Sequence, residues 1–152
     1  MEKGITASDT GFQASSWNVV GHTYTPKVHS PNVFMWHADI PAGTFVPPHI
    51  HPTQDEWIYV ISGDLEVEFG HDEGSVTTHK AGPGDTVRMP MGKSHGIFNR
   101  AETGAICIFG VSPSRKLFDL FTALDGVTDP DELVRISAMH EVDFLPPPPD
   151  AA

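Results

Sequence analysis

The chain has 152 residues, of which 39% are hydrophobic and 19% charged, a size and composition that suit one domain with its own core. Twenty acidic residues against nine basic ones give a net charge of −11, and such a surface repels phosphate backbones and anionic headgroups, so we expect no nucleic-acid or membrane partner. Residues 1–9 hold no apolar signal-peptide core and Cys107 is the only cysteine, so we expect a cytoplasmic protein without an intrachain disulfide.

The elements predicted first along the chain are an N-terminal arm over residues 1–16 and a β domain over residues 17–112. In the β domain, short apolar segments alternate with Gly, Pro and Asp turns, which is typical of a β-sandwich or barrel. Residues 65–69 alternate between apolar and acidic side chains and predict a half-buried strand. Residues 57–61 and 105–109 are more continuously apolar and predict strands covered on both faces.

A short helical extension with a Pro-rich tail is predicted over residues 113–152. The first helix has one apolar stripe, formed by Leu117, Leu120, Phe121 and Leu124, and Gly126 is placed to end it. This helix either lids the mouth of the β domain or packs on the outside of a sheet. Asp129 and Pro130 predict the start of a second helix, whose apolar face is formed by Leu133, Ile136 and Met139.

The most informative stretch runs from Gly43 to Gly63 and contains two histidines and a glutamate. His49 and His51 are two residues apart on a predicted strand, so both rings project from the same face. A turn follows, and Glu56 opens the returning strand, so a hairpin brings its carboxylate beside the imidazoles. Donors of this kind converge on divalent transition metals.

A second stretch, from Gly84 to Asn99, supplies a further histidine. Pro90 and Gly92 predict a turn that delivers His95 at the start of another strand. A nitrogen ligand from this distant strand would complete a set of three histidines and one carboxylate.

Together the two stretches resemble the two motifs of the cupin superfamily. The first reads G, five residues, H-x-H, four residues, E, six residues, G. The second reads G, five residues, P-x-G, two residues, H, three residues, N, and both are matched at every fixed position. The resemblance implies an all-β fold, a double-stranded β-helix or jelly-roll barrel. It also implies a metal held by His49, His51, Glu56 and His95, and a homodimer.

The resemblance leaves the identity of the metal open. Imidazole with carboxylate suits Fe, Mn, Ni, Cu or Zn equally well. Four protein ligands leave an open coordination position, which is an arrangement of catalytic rather than structural metal sites.

Apolar residues near the motifs are candidates for the wall of a substrate pocket, although core packing explains them equally well. These candidates are Phe45, Ile58, Val60, Met89 and Ile97. On the segment from residue 32 to 40, either Phe34 and Trp36 or Met35 and His37 face the pocket. The remaining histidines are expected at the surface or in hydrogen bonds.

Three functions remain open, because the cupin scaffold hosts many activities. The first is a dioxygenase resembling quercetinases and diketone-cleaving cupins, which would act on a small enol, hydroxyketone or aromatic substrate with Glu56 as ligand and general base. The second is a metal-assisted isomerase, cyclase or lyase, for which Tyr24 and Tyr59 are the only tyrosine bases available. The third is a non-catalytic barrel that binds a small molecule.

Overall fold

The strands of this protein are short and follow one another through tight turns. The computed structural model describes residues 1–147, which form a 3-10 turn at Phe12–Ala14, eleven β-strands and two α-helices. The strands are β1 (Trp17–Val19), β2 (His22–Ser30), β3 (Val33–Ile40), β4 (Phe45–Ile50), β5 (Asp55–Ser62), β6 (Leu65–Gly70), β7 (Val76–Ala81), β8 (Thr86–Met89), β9 (His95–Phe98), β10 (Ala105–Ser112) and β11 (Asp143–Phe144). The helices are α1 (Leu117–Leu124) and α2 (Pro130–Met139).

The strands form two antiparallel sheets that enclose the core between them. The larger sheet has the order β1-β2-β3-β10-β5-β8, and the smaller one has the order β11-β4-β9-β6-β7. Strands distant in sequence therefore lie side by side, as β10 does between β3 and β5. This arrangement is a double-stranded β-helix and confirms the predicted all-β fold with a short helical extension.

The alternation of buried and exposed residues along β3 decides which side chains point into the barrel. Phe34 and Trp36 are 0% and 1% exposed, whereas Met35 and His37 are only partly buried. The barrel therefore takes the aromatic pair of β3, and His37 lies on the outer face of the sheet.

The prediction that residues 57–61 are covered on both faces is wrong. Ile58 and Val60 are fully buried, but Tyr59 and Ile61 are each 46% exposed. Within the described part of the chain, nothing packs on this stretch of the outer face, so only one side of β5 is covered.

The C-terminal extension forms both predicted helices with their predicted start and end signals. The apolar face of the second helix differs from the prediction. All four residues of the predicted stripe of α1 are buried, and Gly126 follows the helix with a φ of +76°. The Asp129 side chain caps α2 by accepting hydrogen bonds from the backbone N–H groups of Asp131 and Glu132. Met139 is 62% exposed, however, and Ser137 is the residue of α2 that is fully buried.

The C-terminal extension is described as far as residue 147. The Pro-rich stretch begins at Pro146, and residues 148–152 of the predicted tail lie outside the described residues. Between residues 1 and 147, no helix is long and apolar enough to cross a membrane.

The last glycine of the first motif can be tested by substitution. Gly63 has a φ of +79°, and a Cβ there would lie 2.6 Å from the carbonyl oxygen of Gly104, whereas Gly74 has a φ of +89° in open space. Gly74→Ala should cost about 1–2 kcal/mol of unfolding free energy for the left-handed backbone. Gly63→Ala should cost about 1–3 kcal/mol more, because backbone atoms must also move. Urea unfolding measures both variants, and equal losses would contradict this account of the motif.

Candidate metal centre

The two motifs bring four side chains to one end of the barrel. His49 lies on β4, His51 follows that strand directly, Glu56 lies on β5 and His95 opens β9. The antiparallel pairing of β4 with β9 places His49 opposite His95. The turn over residues 52–54 then returns the chain into the larger sheet, so that ligands from both sheets meet.

A β-bulge in β4 changes which residues of that strand face inward. Val46 pairs with Ile97 and His49 pairs with His95. Between these two pairs β4 advances by three residues and β9 by two. The extra residue reverses the alternation between these two pairs. As a result both Val46 and His49 line the interior, which a regular strand does not allow for residues three apart.

The four candidate ligands form one buried cluster. One ligand atom from each of His49, His51, Glu56 and His95 lies within 4.8 Å of every other, and each residue is at most 5% exposed. Glu56 Oε2 lies 3.1 Å from His51 Nε2 and 2.8 Å from His95 Nε2. The predicted set is therefore brought together in space.

The outer nitrogen of each imidazole faces a hydrogen-bond acceptor. His49 Nδ1 lies 2.8 Å from the Pro47 carbonyl oxygen, and His95 Nδ1 lies 3.3 Å from that of Lys93. His51 Nδ1 lies 2.9 Å from Gln54 Oε1. Because these acceptors have no hydrogen to give, Nδ1 carries the proton in each neutral ring and Nε2 presents a lone pair to the centre.

Gln54 extends this support beyond the barrel. The residue is 2% exposed, and its Nε2 donates hydrogen bonds to the carbonyl oxygens of Pro113 (3.0 Å) and Ser114 (2.8 Å). One side chain thus orients His51 and also holds the loop that leads into α1.

The electrostatics of the cluster call for positive charge at its centre. Burial lowers the pKa of His49 well below its usual value, and the neighbouring histidines lower it further. Burial also lowers the pKa of His51, but the contacts with Glu56 and Gln54 outweigh it and give a net rise. Burial raises the pKa of Glu56, yet His51 and His95 outweigh this and keep the pKa well below the usual range.

The cluster fits a divalent transition metal. With Nδ1 protonated, the lone pairs of two imidazoles point at an ionised carboxylate, and either protons or a cation must occupy the space between them. Three imidazole nitrogens with one carboxylate oxygen are a donor set that Fe, Mn, Ni, Cu and Zn share.

Three of the four candidate ligands, His49, His51 and Glu56, form part of the wall of a partly enclosed cavity of about 50 Å³. The rest of the wall is mainly apolar and comes from both sheets and both helices. The buried residues of α1, with Leu133 and Ser137 of α2 and Phe144 of β11, line the cavity. The structure therefore decides that α1 lids the barrel mouth.

Only one of the five predicted pocket residues lines this cavity, namely Ile97. Phe45 is 50% exposed and stacks on Phe98, because the bulge in β4 turns it outward and puts Val46 in its place. Ile58, Val60 and Met89 are buried in the core away from the cavity. The interior beyond the cluster is filled by these side chains, as in other small barrels.

The sequence reasoning anticipated two of the polar residues that line the cavity and missed the third. Tyr24 was named as a possible base and Trp36 as one of two alternatives for the pocket face, and both come from the larger sheet. Ser137, which comes from α2, was missed. No sequence signal identifies Ser137, since its position depends on how α2 docks.

Comparison with known proteins agrees with this fold and site. The family described as "Cupin domain" matches residues 36–111. Over 112 residues the chain is 27% identical to germin-like protein subfamily 1 member 1 of Arabidopsis thaliana, covering 73% of this chain and 52% of that protein. It is 30% identical over 90 residues to the tetracenomycin polyketide synthase protein TcmJ of Streptomyces glaucescens, covering 59% and 57%.

Among solved structures, KdgF from Halomonas sp. superposes with a TM-score of 0.64 at 23% identity, covering 76% of this chain and 99% of that chain. This likeness concerns the fold. The chain spans about half the length of the curated relatives that it matches. With half of its residues matched and both motifs intact, the chain belongs to the cupin family.

Metal binding can be measured by its effect on stability. After treatment with a chelator, wild-type protein should gain about 2.7 kcal/mol of stability when an ion is added at 100 times its dissociation constant. For a chain of this size the gain corresponds to a rise of about 5–10 °C in Tm. His95→Ala should lose this rise, because the cluster then lacks one nitrogen.

His79→Ala is the matched control, since His79 is an exposed histidine on β7 outside the cluster. Differential scanning calorimetry with Fe, Mn, Ni, Cu and Zn, together with elemental analysis, gives both readouts. Equal shifts for the two variants, or no shift with any of the five ions, would refute the metal site.

Proposed function

We propose that this cupin is a mononuclear metal-dependent dioxygenase that cleaves a small enol-forming substrate, such as a β-diketone or a hydroxyketone. The observation that carries the proposal is the position of three clustered side chains, His49, His51 and Glu56, in the wall of a partly enclosed, mainly apolar cavity, with His95 beside them. Such a cavity holds a small organic molecule against the reacting groups and keeps water from the intermediates.

The metal belongs to the proposal as a resident cofactor. His49, His51, Glu56 and His95 would hold it, and when bound it would supply Lewis acidity and, for a redox-active ion, electron transfer at its open position.

Glu56 is the group we assign to proton removal. Both short contacts of its carboxylate with the imidazoles use Oε2, which leaves Oε1 to accept a proton from substrate carbon. The low pKa keeps the carboxylate in the ionised form that a general base requires. Among residues 1–147 no other carboxylate lines the cavity, so the site favours chemistry that needs a single base to form an enolate.

The proposed reaction balances without an external reductant. Dioxygen adds to the central carbon of the enolate, its outer oxygen then bonds to the adjacent carbonyl carbon, and the O–O bond and the carbon–carbon bond between these two carbons break, so that each product receives one oxygen atom. A linear β-diketone then yields a carboxylic acid and a 2-oxoaldehyde. The four electrons that reduce dioxygen come from the substrate, and the proton taken by Glu56 returns to the products.

The size of the cavity argues for small substrates. About 50 Å³ is well below the roughly 300–1,000 Å³ of typical ligand pockets, so a compact diketone suits this space better than a three-ring flavonol, which is several times larger. A quercetinase-type aromatic substrate, which the family resemblance suggests, would require α1 and α2 to move away. The matched polyketide synthase protein is compatible with the smaller class, since polyketide chains carry β-dicarbonyl groups.

A metal-assisted isomerase or lyase is the second candidate, because Tyr24 lines the same cavity. Burial, with Glu56 and Cys107 nearby, raises the pKa of Tyr24, so its phenol is protonated and suits the role of acid rather than base. Tyr59 lies on the outer face of β5 and has no part in this site.

A homodimer and a cytoplasmic location stay predictions from the sequence.

Oxygen consumption tests the proposed reaction. Metal-loaded wild-type protein should consume one dioxygen for each acetylacetone cleaved, and His49→Ala should lower the rate at least about a hundredfold by weakening metal binding. His79→Ala should retain the wild-type rate. Product formation without dioxygen would replace the dioxygenase with the isomerase or lyase, and binding without any product would leave a non-catalytic barrel.

The lid residues should set the length of the substrate. Leu120 on α1 lines the cavity, whereas Leu65 on β6 is equally buried away from it. Each change to Ala should cost about 2–5 kcal/mol of stability. Only Leu120→Ala should raise kcat/KM for a longer linear diketone relative to acetylacetone, by about tenfold or more. An equal ratio in both variants would show that α1 does not bound the substrate.

A further inference from the structure

Three polar residues line the cavity beside the metal cluster, and their hydrogen-bonding capacity is not fully used. The residues are Tyr24, Trp36 and Ser137, and the rest of the lining outside the cluster is apolar. Each of the three is at most 3% exposed. Polar groups placed in this way in an apolar cavity fix the orientation of a ligand.

Two of these residues have a polar atom without a partner. Trp36 Nε1 and Ser137 Oγ are buried and make no hydrogen bond within the described chain. A buried donor without an acceptor costs about 1–3 kcal/mol. An indole N–H can only donate, so a ligand that satisfies it must bring an acceptor, which for a small enol-forming compound is an oxygen.

Tyr24 is supported from behind by a second buried residue. His22 is 0% exposed, its Nδ1 lies 3.1 Å from the Tyr24 hydroxyl oxygen, and its Nε2 has no partner within the described chain. Burial lowers the pKa of His22 to about 4, so the ring is neutral and carries one proton.

The position of that proton decides what Tyr24 can do. If the phenol donates to Nδ1, the ring proton sits on Nε2, where it has no acceptor. If Nδ1–H donates to the phenol oxygen, the phenol proton is free for a ligand and only a lone pair stays unmatched on Nε2. A ligand oxygen in the cavity favours the second arrangement, because it accepts a hydrogen bond from the phenol, whose proton would otherwise have no acceptor.

We propose that Tyr24, Trp36 and Ser137 bind a second oxygen of the substrate, and that the substrate is therefore a small compound with two oxygen functions. One oxygen faces the metal cluster and the other accepts hydrogen bonds at this second site. Tyr24 contacts the substrate, whereas His22 acts through Tyr24 as a positioning residue. The inference rests on the proposed function, since it presupposes that the first oxygen is held at the cluster.

Ser137 lies outside the part of the chain that the family model matches. The matched family region ends at residue 111, and Ser137 comes from α2 in the extension beyond it. The extension therefore contributes to recognition as well as closing the cavity.

Binding of two matched ligands tests the inference without turnover. The probes are acetylacetone and 2-pentanone, which have the same carbon chain and differ by one carbonyl oxygen. Calorimetric titration of metal-loaded protein without dioxygen should show that Tyr24→Phe and Ser137→Ala each weaken acetylacetone binding by about tenfold. Neither variant should change 2-pentanone binding or the metal content.

His22 provides the internal check on the mechanism. His22→Gln should weaken acetylacetone binding, and the double variant with Tyr24→Phe should bind no more weakly than Tyr24→Phe alone, because the imidazole acts only through the phenol. Tyr59→Phe, which removes an exposed hydroxyl, should bind both probes as wild type does.

Several results would overturn the inference. These are equal effects of Tyr24→Phe on both probes, additive effects of the His22 and Tyr24 changes, and a wild-type protein that does not distinguish the probes. Failure of the proposed function would give a different experimental result. A protein that binds acetylacetone through Tyr24 but consumes no dioxygen keeps the second site and loses the dioxygenase.

Discussion

The site depends on one electrostatic constraint, the convergence of imidazole lone pairs on a buried carboxylate. His51 and His95 direct Nε2 at the same oxygen of Glu56, at 3.1 and 2.8 Å. Their outer nitrogens are already occupied by the Gln54 amide oxygen and the Lys93 carbonyl oxygen. With neutral rings the centre holds only acceptors, and a cation is what makes such an arrangement stable in an interior shielded from water.

The barrel can impose this arrangement because the ligands come from strands that are fixed by other pairings. Glu56 belongs to the larger sheet, whereas His49 and His95 belong to the smaller one. Moving any ligand away would disturb the ladders of whole strands, so the cluster is preorganised rather than assembled by the ion. Gln54 extends this rigidity to the C-terminal extension through Pro113 and Ser114.

The extension turns an open barrel end into a selective cavity. Without α1 and α2, the cluster would face solvent and could accept ligands of many sizes. With them, about 50 Å³ remains, and one of the few polar groups in the wall, Ser137, comes from α2. Under the proposed function, the same short segment would both cover the cavity and contribute to substrate recognition.

The candidate ligands and the fold could be predicted from sequence because the signals are local. The H-x-H spacing, the turn residues and the alternation of β6 each follow from the geometry of a strand and its nearest turn. The pocket wall could not be predicted in the same way. The expected Phe45 is replaced by Val46 because a bulge appears only when β4 pairs with β9, and Ile58, Val60 and Met89 lie deeper in the packed interior.

By itself, the sequence determined a β-barrel with three histidines and a glutamate at one candidate metal site, and a helix with a single apolar stripe. The tertiary structure alone decided that this helix closes the cavity, that Trp36 rather than His37 faces inward, and that Tyr24 and Ser137 meet there. The reason is physical: strand and turn geometry is set by neighbours in the chain, whereas a cavity wall is set by the register and docking of elements far apart in sequence.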